Sequence, residues 1–262
     1  MAGEANIELR WDSTCAYLTL ARAEKLNPLD WATVRELKAA VAEIEVRPEI
    51  RAVAITGCGR SFSAGGDLDG YIELYRHPDR FAAFLDDFFQ MLDAIETSAK
   101  IYIAAVNGVC VAGGLELLLA CDLAIATESA RIGDGHLNFG QLPGAGGSQR
   151  LPRAIGLLRA KHLILTGALL TAAEAERIGL VNKVVPDGEL DTAVAVLVAH
   201  LDEKSPVGLA GAKHLTNLTL KTDLAAGLRQ EMEFVHRYAT TEHDATEGLI
   251  AFKEKRRPVF SR

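Results

Sequence analysis

What this 262-residue sequence has little of narrows its possibilities first. It carries four cysteines, Cys15, Cys58, Cys110 and Cys121, widely scattered and without a CxxC pair, so neither a disulfide framework nor a zinc ribbon is indicated. In mostly apolar surroundings they are expected to be buried free thiols, which fits a reducing compartment. No apolar run approaches the ~20 residues of a membrane span, and residues 1–10 lack the basic-then-apolar pattern of a secretory leader. A cytoplasmic protein is expected. Positive charge is in deficit: 28 Lys and Arg against 35 Asp and Glu leave a net charge of −7, and an acidic field repels nucleic acid and anionic membrane surfaces. General binding to either is not expected, although a local basic patch can still hold one phosphorylated ligand. No His and acidic residues stand at a recognised metal-ligand spacing, so no metal is inferred. No Pro/Gly/Ser-rich linker divides the chain.

What is present is a composition of 49% hydrophobic and 24% charged residues, enough for a sizeable core in one large domain or two small ones. Apolar alternation over 7–11 and 16–20, across Asp12-Ser13-Thr14, predicts a hairpin. A helix over 31–45 follows, with Val34, Leu37, Val41 and Ile44 on one face and Asp30 as its N-cap. Short apolar runs at 52–56, 101–106 and 122–126 predict strands, the first two fully buried. Residues 81–97 and 115–120 predict helices. Strand and helix in alternation point to α/β layering with right-handed crossovers. From Pro152 onward the pattern is mainly helical, over 153–165, 171–178, 189–201, 206–218, 224–238 and 246–255, with one late strand at 181–185. Thr171 and Glu174 have the spacing of a capping box.

Two glycine-rich turns carry the chemistry: Phe62-Ser63-Ala64-Gly65-Gly66-Asp67-Leu68 and Val111-Ala112-Gly113-Gly114-Leu115-Glu116. Each lies where a strand-like run gives way to a helix-like pattern, so each can leave backbone N–H groups unpaired and aimed at one point. Two such donors converging on a carbonyl oxygen make an oxyanion hole. Glu116 follows among Leu115, Leu117, Leu118 and Leu119, a setting that suits a solvated glutamate poorly. Near a helix N-terminus its charged form is favoured, while burial opposes it, as for a base of intermediate pKa.

These turns resemble the crotonase superfamily, the enoyl-CoA hydratase/isomerase group. The resemblance extends through Ile103-Ala104-Ala105-Val106-Asn107-Gly108, Cys121-Asp122-Leu123, the Leu142–Leu151 segment LPGAGGSQRL and Ala251-Phe252-Lys253-Glu254-Lys255-Arg256, in order over nearly the whole chain. It implies an α/β fold wound as a spiral of ββα units over residues 1–195. A helical C-terminal region, 196–262, would complete the ligand site and build a trimer, or a hexamer as a dimer of trimers. It also implies an acyl-CoA thioester as substrate, with no cofactor beyond the coenzyme A that the substrate carries. Gly66 and Gly113 match the two amides that hold the thioester oxygen, and Glu116 matches one of two catalytic glutamates.

The sequence departs from this family at His136, which stands where hydratases and many isomerases carry their other glutamate. Three readings are open. His136 replaces that glutamate in hydration or isomerisation; it marks hydrolysis or decarboxylation on the same scaffold; or it is a polar residue hydrogen-bonded to Glu116 or Asp134 in a CoA-binding homologue without activity. By resemblance, Ala23, Lys25 and Ala64 border the pantetheine and adenine path, and Phe234 and Lys255 reach the coenzyme, often from an adjoining subunit. The run Lys253–Arg257 can pair with its phosphates. Asp67 is expected to cap or orient the first turn, Asp122 to be a structural hydrogen-bond partner, and Pro143–Gly147 to support the site wall. Tyr71, Tyr75, Phe81, Phe84, Phe88 and Phe89 belong either to the acyl pocket or to a helix core.

Overall fold

A computed structural model describes residues 5–261; the first residues of the segment considered for a leader lie outside them. The chain builds two sheets in step. β1 (Ile7–Asp12) and β2 (Cys15–Leu20) form the expected hairpin, and β2 continues into the parallel series β3 (Ala52–Gly57), β5 (Ile101–Val106), β7 (Leu123–Thr127) and β10 (Lys183–Val185), giving six strands in the order β1-β2-β3-β5-β7-β10. The second sheet has four short strands, β4 (Ser61–Ser63), β6 (Val109–Val111), β8 (Arg131–Gly133) and β9 (Leu170–Thr171). Three strands of the main sheet are each followed at once by a short one in the other sheet, β3 by β4, β5 by β6 and β7 by β8, before the chain enters helix. This is the spiral of ββα units. The second sheet is absent from the sequence expectation because strands of two or three residues show no alternation to detect.

The main sheet is covered on both faces, and its residues divide accordingly. Val53, Ile55, Tyr102, Ala104 and Val106 join one core with α1 (Trp31–Glu45), α3 (Pro78–Thr97) and α4 (Gly113–Ala120), while Ala52, Ala54, Ile103, Ala105 and Ile125 face Leu190, Val194 and Val198 of α8 (Leu190–Asp202). Helix α8 spans residue 195 and packs as one piece on the sheet. Asp30 caps α1 through Oδ1, which accepts from Thr33 N at 2.9 Å. Two helical expectations change. Residues 153–165 are two helices, α5 (Gly147–Ile155) and α6 (Leu157–Thr166), because Gly156 at φ 84° and ψ 149° breaks the ladder between them. Residues 68–75 form an additional helix, α2 (Leu68–Tyr75).

The capping box Thr171–Glu174 of α7 (Ala172–Arg177) is formed in full, and after β10 and α8 the chain ends in α9 (Pro206–Asn217), α10 (Leu224–Thr241) and α11 (His243–Glu254). Among the cysteines, Cys15 and Cys110 are buried, Cys121 is half-buried, and Cys58 is exposed, contrary to the expectation for it; all four are free. No helix among the described residues is long and apolar enough to cross a membrane.

Candidate active site

The two glycine turns meet. After β4 the chain passes through Ala64, Gly65 and Gly66 into α2, and Gly65 adopts φ +91°; a Cβ there would lie 2.7 Å from Ala112 Cβ and 3.2 Å from Gly113 N. Only glycine permits that approach. On the other side Ala112 is held at φ 52°, ψ −120°, while its N–H donates to Asp134 O at 2.8 Å. An alanine in this region stores strain on the order of 1–3 kcal/mol, which the surrounding structure must hold. Ala112 thereby opens α4 at Gly113, whose N–H, at a helix start, has no intrahelical acceptor. Within the described residues neither Gly66 N–H nor Gly113 N–H donates a hydrogen bond. Both expected oxyanion donors are unspent and lie on turns in contact.

Glu116 lies one turn into α4, 2% exposed. Its Oε1 accepts from Ala145 N and Gly147 N, each at 2.8 Å, so the 143–147 turn fixes this carboxylate as well as walling the site. Oε2 is left to face the Nε2 of His136 at 3.9 Å, too far for a direct hydrogen bond. Behind the imidazole, fully buried Asp134 brings Oδ1 to 3.1 Å from Nδ1 and accepts from His136 N at 3.3 Å. The Nδ1 contact is an ion-pair approach without hydrogen-bond alignment, so Nδ1 and Asp134 Oδ2 have no hydrogen-bond partner within the described residues. Burial raises the Glu116 pKa, opposed by the Gly147 and Ala145 amides and by His136. For His136 burial acts the other way, and the Asp134 and Glu116 carboxylates outweigh it, so its pKa is raised. The result is a line of Asp134, His136 and Glu116 with one free carboxylate oxygen and a cation-favouring imidazole. The expectation paired His136 with Glu116 or with Asp134; the structure sets both carboxylates around it, Asp134 being brought behind the ring by the turn after β8 at Gly135, φ +68°.

Glu116 and His136 open on a small cavity, about 40 Å³, lined also by Tyr71, Tyr75, Phe81, Phe84, Phe88 and Leu142. Five of the six aromatics noted in the sequence therefore face the site, and Phe84 and Phe88 are core residues too. Phe89 points away, 56% exposed. Tyr71 occupies the space that a side chain at Gly66 would need: its ring carbon Cε2 lies 2.1 Å from where a Cβ would stand. Tyr75 hydrogen-bonds through its hydroxyl to Gln141, joining α2 to the segment after His136.

The residues expected along the coenzyme path fall into two groups. Ala23 and Lys25 lie in a 3-10 turn (Ala23–Lys25) tied to the first glycine turn, since Ala64 N donates to Leu26 O at 2.9 Å and Leu29 N to Gly65 O at 2.7 Å. Phe234 and Lys255 lie elsewhere, on α10 and just after α11, helices that pack on α9 and on each other. Phe234 stacks on His214 with ring centroids 5.3 Å apart. Within the Lys253–Arg257 run, Arg256 is already engaged by Glu247 and Glu254, leaving Lys253, Lys255 and Arg257 exposed. Asp67 stands at the N-cap position of α2, but its side chain makes no capping hydrogen bond. Asp122 accepts from Tyr102 N and Lys213 Nζ, each at 2.8 Å, a structural arrangement. Among the described residues no group of three or more His, Cys, Asp and Glu is placed to hold a metal ion.

Comparison with known proteins places this geometry. The family model described as enoyl-CoA hydratase/isomerase matches residues 10–262. A probable enoyl-CoA hydratase of Mycobacterium bovis is 39% identical over 251 residues, 95% of each chain, and a crotonyl-CoA hydratase of Syntrophomonas wolfei is 36% identical over 257 residues, 97% of each. The crystal structure of an enoyl-CoA hydratase from Bacillus anthracis superposes with a TM-score of 0.89 at 35% identity, covering 97% of this chain and 98% of the other. With unspent amides at Gly66 and Gly113 beside a buried glutamate, and with a family match along nearly its whole length, the chain belongs to the enoyl-CoA hydratase/isomerase family of the crotonase superfamily and is an enzyme of that hydratase/isomerase type.

Proposed function

We propose that the protein adds water across the double bond of a 2-enoyl-CoA thioester, or runs the related double-bond isomerisation, through an enolate held by Gly66 N–H and Gly113 N–H. Water addition at the β carbon, or proton removal at the α carbon, drives charge onto the thioester oxygen. Two preorganised donors are most valuable in that state, each worth ~3–4 kcal/mol of barrier. Glu116 Oε2, freed because Oε1 is anchored by two amides, takes the proton of the attacking water. His136, whose protonated form Asp134 and Glu116 favour, delivers a proton to the α carbon. The site carries coenzyme A as part of its substrate, with Ala23, Lys25 and Ala64 along the near side and Phe234 and Lys255 supplied by a neighbouring subunit of a homotrimer, or of a hexamer of two trimers. The observation that carries this reading is the pairing of unspent glycine amides with a glutamate hydrogen-bonded at one oxygen only. Hydratases among the relatives support the same direction of chemistry.

The buried Asp134 behind His136 favours a second reading, because a carboxylate 3.1 Å from Nδ1 that stabilises an imidazolium also suits activation of water for attack on the thioester carbonyl. Mass-spectrometric analysis of products from enoyl-, 3-oxoacyl- and malonyl-type CoA esters separates the two. Hydration gives a 3-hydroxyacyl-CoA; release of free CoA without it would replace hydration by hydrolysis. Glu116→Gln is expected to lower kcat by ~10²–10⁴ with ligand affinity largely retained. A variant as active as the parent would remove Glu116 from the mechanism.

A further inference from the structure

Tyr71 stands between two spaces. On one side is the cavity of about 40 Å³ that holds Glu116 and His136. On the other is a cleft of about 270 Å³ lined by Asp30, Trp31, Asp67, Glu73, Leu74 and Arg80, among others. Tyr71 and Phe84 line both, so these two rings form the partition. They are held differently. Phe84 is 1% exposed and locked among Trp31, Phe81 and Phe88. Tyr71 lies stacked on Tyr75 at 5.9 Å, edge-on to Phe84 at 5.7 Å and over the bare Cα of Gly66, and its hydroxyl makes no hydrogen bond among the described residues. Its place is therefore kept by packing alone, on a helix of only eight residues.

The space beside Glu116 and His136, about 40 Å³, is well below the roughly 150 Å³ of an apolar cavity that accommodates a benzene ring. We propose that Tyr71 sets the acyl-chain length: its ring limits the site to short acyl groups, and removing it joins the site to the α1–α2 cleft. This rests on the reading of the site as one for acyl-CoA thioesters, and it assigns a specificity-determining role to a residue that touches the acyl end without taking part in proton transfer. The polar rim of the cleft, with Asp30, Asp67, Glu73 and Arg80, makes it a poor terminus for a long chain in the parent, while its apolar floor can receive several methylenes once the ring is gone.

Saturated butyryl-, hexanoyl- and octanoyl-CoA cannot be hydrated, so calorimetric titration with them reads the partition separately from the chemistry. In the parent, affinity is expected to stay level or fall from four to eight carbons. In Tyr71→Ala each methylene that enters the joined space tightens binding by up to about fourfold, so the octanoyl-to-butyryl affinity ratio rises by more than about tenfold. Tyr71→Phe keeps the parent's ratio. Tyr71→Leu, a strong helix former, replaces the alanine variant should circular dichroism show that the latter fails to fold. Octanoyl-CoA as the tightest ligand of the parent, an unchanged ratio in the folded variants, or no binding of any of the three thioesters would each overturn the proposal. Kinetics with 2-butenoyl- and 2-octenoyl-CoA distinguish the two layers: a shifted binding profile without hydration sinks the hydratase reading alone, whereas hydration without a shifted profile sinks the partition alone.

Discussion

Burial asks opposite things of Glu116 and His136, since it disfavours charge on each, and neighbours resist it in both cases. Two amides hold Glu116 Oε1, and two carboxylates surround His136. Both pKa values end above their ordinary ranges of 4.5 and 6.5. A mechanism needing ionised Glu116 and protonated His136 then gives a bell-shaped kcat/KM, its acid limb above 4.5 and its alkaline limb above 6.5. The linkage for His136 has a definite sign. Because its folded pKa is raised, its stabilising contribution is fully present below pH 6.5 and is lost as pH rises through the folded value. Asp134→Asn removes the charge that outweighs burial, so the alkaline limb of kcat/KM should move to lower pH and kcat should drop by ~10²-fold. An alkaline limb that stays in place would show that Asp134 has only a structural role.

Among the elements, α9 is joined to the spiral by one buried ammonium. Lys213 Nζ donates to Ile95 O, Lys100 O and Asp122 Oδ2 at 2.8–2.9 Å, satisfying the end of α3, the start of β5 and the carboxylate that follows α4. Burial raises the Asp122 pKa, with Lys213 opposing it. Lys213→Met keeps the aliphatic stem but leaves three acceptors without their donor and one buried carboxylate unpaired, a loss of about 3–5 kcal/mol for a broken buried pair. Urea unfolding should show this as a lower midpoint at unchanged slope; a change below about 1 kcal/mol would mean that water reaches Asp122. The pairing also explains why Asp122 is a poor candidate for catalysis despite its nearness to Glu116 in sequence.

For the whole molecule the unsatisfied feature is α10. None of its residues is buried, yet Leu224, Leu228, Met232 and Val235 recur at helical spacing and are 79%, 55%, 68% and 49% exposed. Leu249 and Phe252 of α11, 68% and 84% exposed, add to the apolar surface. An exposed apolar stripe of this kind on a helix marks an interaction surface. Self-association through this region would cover it. Sedimentation equilibrium should report three copies or a multiple of three, and Leu228→Glu with Met232→Glu should yield a folded monomer. A parent that sediments as a monomer would contradict the trimer.

Legibility in the sequence followed the length and periodicity of each signal. The hairpin, α1, α3, β3, β5, the capping box and the late helices could be read because each repeats an apolar spacing over one or more turns or carries a cap. Gly66, Gly113 and Glu116 stood out because glycine pairs and a carboxylate in a leucine run are locally anomalous, whereas His136 was singled out only by its place in the family resemblance. Strands β4, β6, β8 and β9 could not be read, being too short for any period, and they position both oxyanion turns. The sequence offered Asp134 as one of two partners for His136 without choosing between them, and could not free Glu116 Oε2 by pinning Oε1 with the Ala145 and Gly147 amides or set Tyr71 over Gly66. The Glu116 anchors come from a separate winding of the spiral, while Asp134 and Tyr71 lie two and five residues from their partners and are placed by the positive-φ turn at Gly135 and by the start of α2, which no apolar period marks. Sequence alone determined which groups were available for the chemistry; tertiary structure decided which were hydrogen-bonded and which left free, because that depends on distances across the fold that no local pattern encodes.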